Sequence, residues 1–493
     1  MCVAFVLAAG SGLFGCAPPK KQADAPIELL VSTDAETLDP RYATDPVALR
    51  TTRLLHAGLV RLDGSTLEPL PYLAERWTWR DARTLDVELR DDVHFHSGAP
   101  LTARDVAATL RAFASKEVDS RHARVVEAIG DVTVHDDHAL SIRLSREHAT
   151  LVTDLELPIL RADQAFSPRS PDGTLDGLGP YTLGRRTPGE IVLVPAKQGA
   201  LPTPRHALAI RTVHDENARA LRMHAGRADL VINGFSPTLL PALERAETLS
   251  VAARPGANLT YIVVRADRGP LADPRIRRAI SLAVDRATLA HTLLADHASV
   301  ASTLLPPNHW AHTPLDAPAF DPEGARSLLA ESHAAPLHLT LLTSTDRLRG
   351  TIARVIAEEL HDVGIDLEVI PLELGTMIAR LGAGDFELAT LQLPEITEPN
   401  VLRVFLHSSS IPPAGANRGR IRDPEIDRLL DEGDHTLDPA LRRNIYAALE
   451  KRVRETSVFL PLWHEDQVAV ASARARTFVP STEGRWLDLA AIR

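Results

Sequence analysis

Residues 85–113 read Leu-Asp-Val-Glu-Leu-Arg-Asp-Asp-Val-His-Phe-His-Ser-Gly-Ala-Pro-Leu-Thr-Ala-Arg-Asp-Val-Ala-Ala-Thr-Leu-Arg-Ala-Phe. Leu85, Val87 and Leu89 alternate with Asp86, Glu88 and Arg90, the period-two pattern of a strand with one buried face. Val93 and Phe95 resume the alternation after a short break. Ser97-Gly98-Ala99-Pro100 is turn chemistry. Thr102 with Asp105 three residues on forms a capping box. Val106, Leu110 and Phe113 then follow at helical spacing and give the helix one buried stripe. The stretch is a strand, a turn and a capped helix.

The same alphabet recurs outward from it. Ile27 to Ser32, Ala139 to Leu144 and Tyr261 to Val264 have strand character. Asn217 to His224 has the spacing of a helix. Asp273-Pro274 starts another, with Ile276, Ile280 and Val284 on one face. Its arginines, Arg275, Arg277 and Arg278, read as a solvated or ion-paired face rather than an anion site. The Asp-Pro start recurs at Asp321, Asp423 and Asp438, each before a helical apolar pattern. Ile352, Val355, Ile356 and Leu360 line a helix stopped by Gly364, and Val458 to Val470 is expected to form a strand pair around Pro461. Strands alternating with helices predict an α/β chain.

Composition narrows the function. The chain has 493 residues, 44% of them hydrophobic, enough for a large core in two or three lobes. The net charge of −11 argues against nucleic acid, which needs a basic face. Arginine far outnumbers lysine, which occurs only as Lys20, Lys21, Lys116, Lys197 and Lys451; genome composition is the simpler reading than phosphate recognition. The cysteines are Cys2 and Cys16 alone, so the body has no disulfide, cysteine zinc cluster or cysteine nucleophile. No nucleophile elbow, zincin helix or phosphate loop is present, and the reading is a protein that is not an enzyme and needs no cofactor.

Val3 to Phe14 is apolar and small, too short to span a bilayer and suited to a signal-peptide core. Leu13-Phe14-Gly15-Cys16 resembles the lipobox of bacterial lipoproteins, which implies a lipid on Cys16; no Lys or Arg precedes the run, a departure from a signal peptide's basic start. Residues 1–16 are therefore expected to be a lipoprotein signal ending at the lipidated cysteine, and residues 17–26 a tether.

The chain resembles the peptide-type (family 5) solute-binding proteins of ABC importers. Leu89-Arg90, Val93, Phe95-His96, Gly98, Pro100-Leu101-Thr102-Ala103 and Asp105-Val106 match that family's "F-x-L-R … F-h-d-G-t-P-l-T-A-x-D-V" segment. Thr37-Leu38-Asp39-Pro40, Leu73-Ala74-Glu75-Arg76-Trp77, Gly177-Leu178-Gly179-Pro180-Tyr181, Gly226 to Val231 and Asp273 to Arg286 match further motifs. The resemblance implies a two-lobed, periplasmic-binding-protein-like fold of type II with an extra lobe. Lobe I is expected from 27–60, 175–256 and 466–493, the extra lobe from 61–174 and lobe II from 257–465.

It further implies a monomer, held to the cell envelope on the periplasmic side by its lipid, that captures oligopeptides or dipeptides by hinge closure and delivers them to permease and ATPase subunits. In such proteins an aspartate holds the ligand's α-amino group; Glu395, in Leu393-Pro394-Glu395-Ile396, falls on that position. Asn233, Tyr261, Glu36, Thr37 and Leu393 fall on or near segments that meet ligand in relatives. The tryptophans often found beside the anchor are replaced by Leu391, Gln392 and Leu393. Two alternatives stay open. One is a nickel or metal-chelate binder of the same fold; His94 and His96 share a strand face, but His96 belongs to the motif and the pair reads as structural. The other is a surface lipoprotein without a transport role.

Overall fold

The capping box at Thr102 forms as its spacing predicts. The Asp105 carboxylate accepts from the Thr102 N–H and from its hydroxyl, both at 2.8 Å, and starts the helix Ala103–Ala114. Its second oxygen accepts from the Ala162 N–H at 2.7 Å, so the cap also fixes a distant loop. The computed structural model describes residues 24–200, 203–334 and 336–493; the Cys16 lipid site and the signal segment lie outside the described residues. The helix buries Val106, Leu110 and Phe113 over an antiparallel sheet ordered Ala74–Asp81, Thr84–Leu89, Ala139–Leu144, Ile129–Val134. This body has its own core, and Ala57, Leu59, Val60 and Leu178 pack into it from flanking segments.

Val60–Leu62 and Pro69–Pro71 pair with each other, and the remaining strands make one continuous sheet of 12 strands. Its path runs Ile365–Leu372, Leu337–Ser344, Leu388–Leu393, Leu259–Val264, Phe459–Ser472, Leu230–Ile232, Ile27–Val31, Leu208–Thr212, Glu190–Pro195, Tyr181–Thr187. Each half contains parallel strands covered by helices, and each half has its own apolar cores. The half around Ile27–Val31 is termed the first lobe and the half around Leu337–Ser344 the second; the four-stranded body is the extra lobe.

Phe459–Ser472 joins the halves. Its last residues pair with Leu230–Ile232 and Leu249–Pro255, its first with Leu259–Val264 and Ala298–Val300. The sequence pattern predicts two strands broken at Pro461; the structure has one strand of 14 residues. A register shift between Thr260 and Tyr261, opposite Pro461, takes up the missing donor and lets the strand continue.

All four Asp-Pro starts are N-caps, each aspartate accepting from a backbone N–H of the first turn. Of the arginines behind Asp273, Arg275 and the exposed Arg278 keep to the expected solvated or ion-paired face, and Arg277 departs from it. Only Arg275 forms a surface pair with its cap. Arg277 is buried and donates to the carbonyls of Leu271, Ala272 and Thr456. Arg286, also buried, donates to those of Pro461 and Ser281. These guanidiniums tie loops together, so neither a solvated face nor an anion site describes them.

Gly177 and Gly179 of the Gly-Leu-Gly-Pro-Tyr motif lie against the end of helix Pro46–Leu55. A Cβ on Gly179 would overlap the Leu54 carbonyl oxygen, and its N–H donates to Leu55 O at 2.9 Å. His96 Nε2 bonds to the Gly179 carbonyl at 2.8 Å, so this imidazole is a structural strut.

The second lobe holds a buried acid, Glu450, whose carboxylate accepts from the Leu305 N–H at 2.9 Å. Burial pushes its pKa up to about 8, against an ordinary 4.5. The folded pKa lies above the unfolded one, so this group's stabilisation is complete below pH 4.5 and is lost as pH rises toward 8. Glu450→Gln keeps an acceptor and removes the titration. The variant should gain about 2 kcal/mol on the wild type between pH 5 and pH 7, measured by urea unfolding at both values. A gap independent of pH would refute the assignment.

Candidate ligand-binding cleft

Strand Leu388–Leu393 delivers the chain into Pro394-Glu395-Ile396 at the junction of the lobes. Ile396 is buried and its N–H donates to the Ala257 carbonyl at 2.6 Å. Glu398 is buried between Thr153 of the extra lobe and Arg442 of the second, accepting from them at 2.7 and 2.9 Å. With both flanks fixed, the Glu395 side chain turns outward and is 41% exposed.

Its partner comes from the end of the chain. Arg485 Nε lies 3.4 Å from Glu395 Oε1. The same guanidinium donates through Nη1 to Glu156 of the extra lobe. Arg53, on helix Pro46–Leu55, reaches Glu156 at 3.8 Å. Arg50, one turn earlier, lies over the Trp486 ring at 5.9 Å. Burial pulls the pKa of Arg50 and Arg53 below the ordinary arginine range. Burial works against Arg485 too, but Glu156, Glu395 and Glu483 outweigh it and hold its pKa up. Glu483 is buried with one oxygen unpartnered, and burial pushes its pKa up to about 7 against the pull of Arg485.

A cavity of about 150 Å³ opens beside this cluster, lined by Pro40, Thr52 and Arg53 of the first lobe, Thr153 and Glu156 of the extra lobe, Thr397 of the second, and Arg485. It is smaller than the roughly 300 Å³ at which ligand pockets begin. The lobes touch around it: Ala149 N–H donates to Asp434 O at 2.9 Å, and Asn400 Nδ2 to Thr150 Oγ1 at 3.2 Å. The chain crosses between first and second lobes at Pro255–Asn258 and Glu465–Gln467. There Asn258 donates to the Glu465 carbonyl at 2.7 Å and accepts from its N–H at 2.8 Å.

The other residues singled out in the sequence lie elsewhere. Tyr261 is 1% exposed and stacks on Phe459 at 3.9 Å; the alternation of its strand places the ring in the second lobe's core, not toward the cavity. Leu393 is buried in the same core. Asn233 takes φ +49° and staples the crossing strand, its Oδ1 accepting from the Val468 N–H at 2.8 Å and its Nδ2 donating to Gln467. The Thr37 hydroxyl, buried, accepts from the Asp39 N–H at 3.1 Å. Glu36 is exposed, with its N–H donated to Asp45 at 3.1 Å. Of the Thr37–Pro40 segment, Pro40 lines the cavity. Among the described residues no group of three His, Cys, Asp or Glu is arranged to hold a metal, and no helix is long and apolar enough to cross a membrane.

Two α/β lobes on one sheet, two crossing segments and a charged cavity where three lobes meet define a binding protein of the two-lobed type. Residues 68–410 match the model of the bacterial extracellular solute-binding proteins, family 5, middle region. The chain belongs to this family. It is similar to the probable di/tripeptide-binding protein 5 of Pseudomonas aeruginosa (strain UCBPP-PA14), 25% identical over 462 residues that cover 87% of this chain and 88% of the relative. It is similar also to the nickel-binding periplasmic protein of Escherichia coli (strain K12), 25% identical over 505 residues, 93% of each chain. In structure it matches NikA of Brucella suis, solved with Fe(III)-EDTA, with a TM-score of 0.85 and 22% identity over 95% of this chain and 100% of the other.

Proposed function

We propose that this protein is the substrate-binding component of an ABC importer and captures short peptides between its lobes, with no covalent chemistry. Glu395 carries the proposal. It is a half-exposed carboxylate on a rigid segment, at the position where the family resemblance puts the α-amino anchor, and its partner Arg485 lines a cavity bordered by all three lobes. The di/tripeptide-binding relative supports the ligand class. Lobes bounded at 27–60 with 175–256 and 466–493, at 61–174 and at 257–465 would part at the crossing segments and close on the ligand. The working site is the periplasmic side of the envelope, with Cys16 as lipid anchor, a monomer handing its ligand to permease and ATPase subunits.

A second reading, capture of a metal chelate, draws on the nickel-binding relative and on Arg50 and Arg53, whose guanidiniums suit a chelate's carboxylates.

A thermal-shift panel separates the two. Its members are di- to pentapeptides, their N-acetylated forms and nickel–histidine. Free peptides at about 100 times their Kd should add about 2.7 kcal/mol of stability. The shift should vanish on N-acetylation and in Glu395→Ala. Stabilisation by nickel–histidine alone would replace the peptide reading with the chelate one. No shift with any member, from protein freed of carried-over ligand by unfolding and refolding, would leave a surface lipoprotein without a transport role.

A further inference from the structure

The Glu395 carboxylate has a charge partner already: Arg485 Nε lies 3.4 Å from its Oε1, an ion pair in which that Nε makes no hydrogen bond. The arginine is firmly placed. Its N–H donates to Ser481 Oγ at 3.0 Å, and the Ser481 hydroxyl donates back to the Arg485 carbonyl at 3.2 Å. Gly484 before it takes φ +72°, with Gln467 Oε1 against the space a Cβ would need. The guanidinium therefore links a tail packed on the first lobe to Glu156 of the extra lobe and Glu395 of the second.

The surrounding charges hold no spare carboxylate, since burial keeps Glu483 close to its neutral form. Arg50, Arg53 and Arg485 share Glu156, Glu395 and Glu483. Arg53 Nε has no hydrogen-bond partner, and Glu483, the most buried of the acids, has an unpartnered oxygen. A ligand ammonium that takes over Glu395 strips Arg485 of one of its counter-charges. An ammonium alone then leaves a surplus of buried positive charge, which is costly. A ligand that brings a carboxylate as well restores the balance and gives the released guanidinium an acceptor.

On the peptide reading of this cleft, on which the inference rests, we infer that Arg485 is a specificity-determining residue: an internal guanidinium that pairs with the anchor carboxylate and admits ligands carrying both an ammonium and a carboxylate, while refusing those with an ammonium alone. Zwitterionic short peptides pass; their C-terminal amides and diamines do not.

The test titrates one tripeptide, as free acid and as C-terminal amide, into wild type, Arg485→Lys and Arg485→Gln by calorimetry. Amidation should weaken binding at least about tenfold in wild type and in Arg485→Lys, and less than about threefold in Arg485→Gln. Thermal unfolding of each variant confirms that it is folded. An equal amidation penalty in wild type and Arg485→Gln overturns the inference. If wild type binds neither form, the peptide reading fails by itself, and X-ray scattering of the ligand-free proteins decides the role of Arg485. A larger radius of gyration in Arg485→Gln keeps it as the bridge between lobes; an unchanged radius removes that role as well.

Discussion

Arg41→Met should destabilise the protein by about 3–5 kcal/mol, the cost of leaving a buried charge without its partner. Arg41 and Asp39 are both 0% exposed and meet in a two-pronged pair, Nε to Oδ1 at 2.9 Å and Nη2 to Oδ2 at 2.6 Å. The guanidinium also donates to the carbonyls of Ala165, Ser167 and Pro168 at 3.1, 2.8 and 3.2 Å, and Asp39 accepts from the Ser170 N–H at 2.9 Å. One arginine thus satisfies a carboxylate and three backbone acceptors. Methionine fills the stem's volume and satisfies none of them. The double variant Asp39→Leu/Arg41→Met should lose less than Arg41→Met alone, because it removes the orphaned carboxylate too. Urea unfolding of the two variants measures this; a double variant less stable than the single one would contradict it.

Glu398→Ala should cost about 3–4 kcal/mol for the same physical reason in a different place. It leaves Arg442, 6% exposed in its side chain, with the Gly433 carbonyl at 3.3 Å and the rings of Trp310 at 5.0 Å and Tyr446 at 5.8 Å, none of them a counter-charge. Glu398→Gln can still accept from Thr153 and should lose about half as much. The two substitutions also differ in what they do to shape. Glu398 is a direct link from the second lobe to Thr153 of the extra lobe, so the alanine variant should show a larger radius of gyration without ligand. An alanine variant as stable and as compact as wild type would refute both the pair's burial and its role in holding the lobes together.

Elements whose signals are local were legible in the sequence. The Thr102 cap, the Asp-Pro starts and the alternating strand Thr84–Leu89 each depend on residues within a few positions of one another. Phe459–Ser472 was not, because its continuity depends on a partner some 200 positions away that absorbs the proline. The site divided in the same manner. Glu395 was reached by motif alignment, and the structure sets it beside the cavity's charged cluster. Tyr261 and Leu393 lie on the sheet that leads to it and are buried in the core, since both faces of Leu259–Val264 are covered and motif proximity does not show that. The charges that complete the cluster went unnoticed. Arg53, Glu156 and Arg485 are separated by about 100 and 330 positions, and their arginines were hidden by the overall excess of that residue. Only the spacing of Arg50 and Arg53, one helical turn apart, hinted that two guanidiniums share a face.

The central claim is that a peptide's α-amino group binds Glu395. A crystal structure of the protein with a bound tripeptide tests it most directly. The ligand's nitrogen should lie about 2.7–3.1 Å from a Glu395 carboxylate oxygen, with the Arg485 guanidinium moved off that oxygen toward the peptide's carboxylate. A peptide held elsewhere, or bound with the Arg485–Glu395 pair intact and its amino group in solvent, would contradict the account.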